Sequence, residues 1–227
     1  MTKEFSRNKT WNPKIVGEFL AELSNEENAY TNEEKCDYIK QTAKELLTRG
    51  GNGNISSAEN ILIYATQHYF DKTDSQIKAS IYYLLGELYE AYKENFVRAY
   101  TYYEKYTLNN KENSGTHSLM LKALILRDDF TYSDELEKEF RMSLAEWDMG
   151  LKNDRIYENL GRFIILNHEG NEEESKKVMK RLWGIIKNDE LVVPDLIIKK
   201  NINDRVKVPS KIKEFIYSKN TELNPIK

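Results

Sequence analysis

The chain has 227 residues, 40% of them apolar and 31% charged, with 10 Gly and 4 Pro. That length can bury a sizeable core, and the composition excludes a disordered chain and argues against a loop-rich all-β protein. A net charge of -3 gives no global field that would attract nucleic acid, and the single cysteine, Cys36, excludes a disulfide framework or a cysteine-based zinc site.

The dominant signal is helical. After Trp11-Asn12-Pro13, the residues Ile15, Val16, Phe19, Leu20 and Leu23 recur at 3–4 spacing, which predicts a first helix over about 13–24 with Pro13 in its first turn. Thr31 and Glu34 fit a capping box for a second helix that carries Tyr38, Ile39, Ala43, Leu46 and Leu47 on one face. Gly50-Gly51-Asn52-Gly53 is expected to stop it, and Ser56 with Glu59 to start a third helix through Ile61, Leu62 and Ala65. Asp74 can start a fourth, through Ile77, Ile81, Leu85, Leu88 and Tyr92. Further helices are expected at Phe96–Leu108, Thr116–Arg127, Ser133–Met149, Asn153–Asn167 and Glu172–Lys187, joined by short polar turns. Period-2 alternation is absent, so the fold class is all-α, as stacked antiparallel helix hairpins.

From Leu191 the pattern breaks at Pro194 and Pro209, and LVVPDLIIKKNI fits either a short strand or a helical turn. Residues 191–227 are therefore expected to be a short irregular, basic tail or capping segment behind a helical array over 1–190. The tail has eight Lys/Arg against four Asp/Glu, which leaves the array at -7. That contrast suggests that the tail docks back on the array. No apolar stretch follows the basic N-terminal residues, and apolar runs such as Phe163–Leu166 are far too short to span a bilayer. The expectation is a cytoplasmic protein without a membrane partner.

Small residues recur at Ala43, Gly86, Ala123 and Gly161, and Tyr82, Leu85, Gly86 and Tyr89 match Tyr157, Leu160, Gly161 and Ile164 in order. The run Tyr82-x2-Leu85-Gly86-x2-Tyr89, followed by Ala99-x3-Tyr103-x-Lys105, resembles a tetratricopeptide repeat. Tyr157 to Met179 looks like a second copy, with Ser175 at the small second-helix position. Leu119, Ala123 and Leu126 with Leu136 and Phe140 form a degraded copy, and Ile39, Ala43 and Leu46 with Ala58 and Leu62 a weaker one. The repeats would occupy about 31–69, 74–108, 116–149 and 153–187. The spacing of 37–43 exceeds the family's roughly 34, and Lys93-Glu94-Asn95 stands where the family usually has a glycine.

The resemblance implies a tetratricopeptide-like α-solenoid whose concave wall is lined by first-helix residues not used for packing. By that reading the wall comprises Tyr83, Glu87 and Glu90, then His117, Met120 and Arg127, then Glu158, Arg162 and Ile165. Eight of the 15 tyrosines lie between Tyr82 and Tyr106; Tyr82, Tyr89 and Tyr103 are expected in the core, and the rest are surplus. Tyrosine suits a peptide-binding wall, because it offers a large rigid area with a hydrogen-bonding tip.

Catalytic and metal signatures are missing. The glycines at 50, 51 and 53 lack a P-loop lysine, and His68, His117 and His168 do not form a helical zinc pair. Arg162 and His168, in GRFIILNHEG, have the spacing of the Arg and His of all-α HEPN-type RNases and carry the one enzymatic alternative. The main expectation is a non-catalytic protein- or peptide-binding adaptor or sensor, without a cofactor, a metal or a nucleic-acid partner. A toxin-neutralising immunity protein or a peptide-responsive regulator is the alternative within the same class.

Overall fold

The computed structural model describes residues 10–71, 73–110, 115–147, 156–189 and 210–223. Among these residues the protein is all-α, with ten helices and no strand, and several helices adjacent in sequence pack together as hairpins. None of these helices is long and apolar enough to cross a membrane. The chain divides into two compact units, Met1–Ala123 and Leu124–Lys227.

In the first unit, α1 (Pro13–Ser24) starts where the Asn12 side chain accepts hydrogen bonds from the Lys14 and Ile15 amides. Pro13 is harmless there because the first helical position needs no N–H. α2 (Asn32–Arg49) opens on a complete capping box. The Glu34 amide donates to Thr31 Oγ1 at 3.2 Å, and the Thr31 amide donates to the Glu34 carboxylate at 2.9 Å. Gly50 ends α2 at φ 67°, a left-handed value that glycine adopts without penalty.

α3 (Asn52–His68) corrects the expected start at Ser56, because Asn52 and Gly53 belong to the helix and only Gly50-Gly51 form the break. The cause is a tertiary contact. The Trp11 amide donates to Asn54 Oδ1 at 2.9 Å, Asn54 Nδ2 donates to the Gly50 carbonyl, and Trp11 O lies 3.0 Å from where a Gly53 Cβ would be. The preceding chain thus holds the first turn of α3 in place.

α4 (Ser75–Glu87) is capped by Asp74, whose carboxylate accepts from the Gln76 amide at 2.7 Å. It runs on as a π-helical turn over Leu88–Tyr92. Leu88, Tyr89 and Glu90 are all buried, since the wider turn meets both α3 and α5 (Phe96–Asn109). The turn beyond it places Glu94 at φ 48°, so a non-glycine takes the left-handed position. α2 with α3 and α4 with α5 form two successive hairpins, and α2 also lies against α4. Their shared core includes Phe19, Ile39, Ala43, Leu62, Ile81, Leu85, Ala99 and Tyr103. Each large apolar side chain contributes about 1.5–3 kcal/mol by leaving water. Gly86 sets the closest approach: a Cβ there would stand 2.4 Å from the Tyr103 ring.

α6 (Thr116–Arg127) matches its expected bounds. In the second unit α7 (Asp134–Trp147) is preceded by Ser133, whose hydroxyl accepts from the Leu136 amide at 3.2 Å. α8 (Ile156–His168) and α9 (Glu172–Asp189) pack together, with Gly170 at φ 73° in the turn between them. The expected bounds at 148–149 and 153–155 lie outside the described residues, as does the strand-or-turn expectation for 191–202.

The irregular tail is a correction over its later part: Ser210–Leu223 forms α10, which packs on α9. Ile212, Phe215 and Ile216 supply the 3–4 spacing of an apolar face, with both isoleucines fully buried. The Phe215 ring stacks on Phe130 at 3.9 Å and meets Phe163 edge-on at 6.0 Å, while Lys211 pairs with Asp129 at 2.9 Å. α10 therefore docks within this unit through its apolar face together with the Lys211–Asp129 ion pair. The turn it covers holds Asp129 and Phe130 at φ 51° and 60°, conformations that L-residues adopt only when packing enforces them.

Candidate functional site

In the first unit a groove of ≈ 340 Å³ lies along α2 and α4, lined by Lys40, Gln76, Ile77, Ser80, Tyr83 and Tyr106. Helical spacing puts Gln76, Ser80 and Tyr83 on one face of α4, and the α2–α4 contact brings Lys40 opposite them. Tyr106 reaches in from α5 and meets Tyr83 edge-to-face, with 5.5 Å between centroids. These rings are held from behind. Asn110 donates to the Tyr106 hydroxyl at 3.2 Å, Gln76 donates to Asn110 at 3.3 Å, and the Tyr83 hydroxyl donates to Glu87 Oε1 at 2.7 Å.

A buried polar network continues from Glu87 along the same helix. Glu90 is 7% exposed, accepts from the Tyr103 hydroxyl at 3.0 Å and forms an ion pair with Lys122 of α6, itself 8% exposed. Burial is the main cause that raises the Tyr83 and Tyr103 phenols, with the Glu87 and Glu90 carboxylates adding to it. Both therefore stay protonated and act as donors. Burial also raises Glu87 above the usual carboxylate range, against the opposing hydrogen bond from Tyr83. The groove offers the Tyr83 and Tyr106 rings, an apolar Ile77 and the Lys40 ammonium, the last shared with Asp37. It can hold a ligand by contact and hydrogen bonding.

The nine expected wall residues divide between the units. Tyr83 lines the groove and Glu87 supports it, so the α4 part of the expectation falls at a concave feature. Glu90 and Met120 are corrections, because both are buried: Glu90 serves the internal ion pair and Met120 belongs to the core, accepting from Thr107 through its sulfur at 3.4 Å. His117 is half-buried on α6. In the second unit Arg127 is engaged by Asp128 and Glu135, at 2.6 and 2.7 Å. Glu158 and Ile165, 7% and 8% exposed, are corrections too, since they face packing rather than solvent; Arg162 is exposed.

Arg162 and His168 are not brought together. Six residues at 100° each put them on different sides of α8. Arg162 acts electrostatically on Glu174, whereas His168 acts on Glu137 and stacks flat on Tyr132 at 3.8 Å. Among the described residues no group of three or more His, Cys, Asp or Glu converges as a metal site would require.

Sequence reasoning missed Lys122 and Lys40. The signal for Lys122 was its position as the one charge within Leu119–Leu126, an otherwise apolar run on an expected helix. Lys40 carries no such mark, since only the α2–α4 contact brings it to the groove. Comparison of the chain with protein-family models, curated proteins and solved structures gives no match.

Proposed function

We propose that the protein is a non-catalytic adaptor or sensor that holds a peptide or protein segment in the groove between α2 and α4. The observation that carries this reading is the pair Tyr83 and Tyr106 lining that groove, fixed by hydrogen bonds to Glu87 and Asn110. Pre-organised aromatic rings bind with little loss of side-chain entropy, which is why they dominate interface energetics. The two first helices that form the groove belong to successive hairpins, in keeping with a divergent tetratricopeptide-like array. A cytoplasmic setting is part of the proposal: Cys36 is a fully buried thiol, pushed up by burial to about 11, and suits a reducing compartment without depending on one.

The test is selection of binding peptides from a displayed library against the purified chain. Selected peptides should bind Tyr83→Ala at least about tenfold more weakly, the loss of one aromatic anchor. Tyr217→Ala, an exposed tyrosine of the second unit, should leave binding unchanged. Peptides that bind Tyr83→Ala as well as the parent would refute the groove as the site.

A further inference from the structure

We infer that the first unit carries a second binding face, separate from the groove and beyond the reading above, whose ligand is an acidic peptide segment. The face is built on a continuous row of rings. Phe70 meets Tyr82 edge-to-face at 5.2 Å, Tyr82 tilts against Tyr102 at 6.3 Å, and Tyr102 stacks on Tyr89 at 5.4 Å with 6° between planes. Cations cover the row. Lys78 stands 5.9 Å from Phe70, Lys105 stands 5.7 and 5.3 Å from Tyr82 and Tyr102, and Arg98 stands 5.2 Å from Tyr89.

One carboxylate enters the row, Glu59, and it is already taken. It accepts from Tyr89 and pairs with Lys93, with Arg98 at 4.0 Å. Lys78 and Lys105 have no carboxylate partner among the described residues, and the Tyr82 and Tyr102 hydroxyls make no hydrogen bond there. Among the described residues the row thus presents two unpaired ammonium groups, an exposed guanidinium that also donates to the Tyr89 hydroxyl, and two phenols without a hydrogen-bond partner, a surface richer in donors than in acceptors.

The complement of such a surface is a chain of acceptors with negative charge. A nucleic acid would add affinity by stacking bases on bare aromatic faces. Here the innermost ring is closed off, since Tyr89 is 1% exposed, stacked against Tyr102 and flanked by Arg98, and ammonium groups stand over Phe70, Tyr82 and Tyr102. What remains outward reads charge and acceptor groups. Carboxylates spaced along a peptide, with its backbone carbonyls for the phenols, answer both.

The experiment titrates a fluorescein-labelled deca-glutamate peptide with the full chain, read by fluorescence anisotropy. The expected result is saturable binding that weakens as salt rises. It should fall at least about tenfold in Lys78→Gln/Lys105→Gln, about one charge-assisted contact. Tyr82→Phe/Tyr102→Phe, which keeps the rings and their packing, should also weaken it. Lys177→Gln/Lys219→Gln removes the same charge from the second unit and should change nothing. Tyr83→Ala should bind as the parent does, so failure of the groove and failure of this face are told apart. Thermal midpoints within a few degrees of the parent verify that the variants are folded. The inference is overturned by no saturable binding, by equal affinity in the two-lysine variant, or by an oligouridylate that binds more tightly than the peptide and displaces it.

Discussion

Gly86→Ala tests the packing on which the first unit depends. An added Cβ would lie 2.4 Å from Tyr103 Cε1 and 2.6 Å from Cδ1, well inside contact distance. The ring cannot swing away freely. It is 1% exposed, and its hydroxyl donates to Glu90, which in turn pairs with Lys122. Overpacking of this kind costs about 1–3 kcal/mol. A weakened hydrogen bond to a buried carboxylate adds about 1.5–3 kcal/mol. The better helix propensity of alanine returns about 1 kcal/mol. The net expectation is a loss of about 1.5–5 kcal/mol in urea unfolding followed by circular dichroism. Gly17→Ala supplies the contrast, because Gly17 lies in α1 with nothing within 4 Å of its added Cβ. There only the propensity acts, and stability should rise by about 1 kcal/mol. If Gly86→Ala stabilised the chain as Gly17→Ala does, the close α4–α5 approach would be refuted.

Four further outcomes follow from the same geometry. Lys122→Met should destabilise the chain by about 3–5 kcal/mol in urea unfolding by leaving the buried Glu90 carboxylate without its cation, and a second change, Glu90→Gln, should restore most of it. Glu94→Gly should raise stability by about 0.5–1 kcal/mol by relieving the left-handed φ of 48°, read as a higher melting temperature. Burial pushes the Glu59 carboxyl up, but hydrogen bonds from Lys93 and Tyr89 outweigh it and hold the group below its usual range. A depressed carboxylate contributes stability above its unfolded value of about 4.3 that is lost as pH falls through the folded one. Glu59→Gln should therefore be less stable than the parent at pH 7, and urea midpoints measured along a pH series should draw together as pH falls below about 4.3 and through the depressed folded value. Phe215→Ala should cost about 2–3 kcal/mol, under the figure for a fully buried Phe, because the half-buried ring joins α10 to Phe130 and Phe163; an unchanged unfolding curve would mean that α10 adds nothing to the second unit.

The helices were legible because their signals are local. Asn12-Pro13, Thr31 with Glu34, and Asp74 each cap a helix within their own turn, so the information lies within four residues of where it acts. The start of α3 was not legible, since it depends on Trp11 reaching Asn54 across 43 positions. α10 was obscured by its basic charge and by Pro209, although Ile212, Phe215 and Ile216 carry an adequate apolar period. Among the expected wall residues, Tyr83 lines a groove, whereas Glu90, Met120, Glu158 and Ile165 are buried instead of lining an open wall. Spacing along a helix says which residues share a face but not what covers that face.

Composition, periodicity and caps by themselves determined an all-α chain of short-looped hairpins, with glycine at 86 where two helices must nearly touch. Tyr89 and Tyr103 are buried as the repeat pattern expected, whereas Tyr82 is only half-buried, and which other tyrosines line the groove was decided only in three dimensions, when α2 met α4. The physical reason is one of range. Capping and helical period are fixed by neighbours along the chain, while burial and the pairing of charge depend on groups tens of residues away that only packing brings within reach.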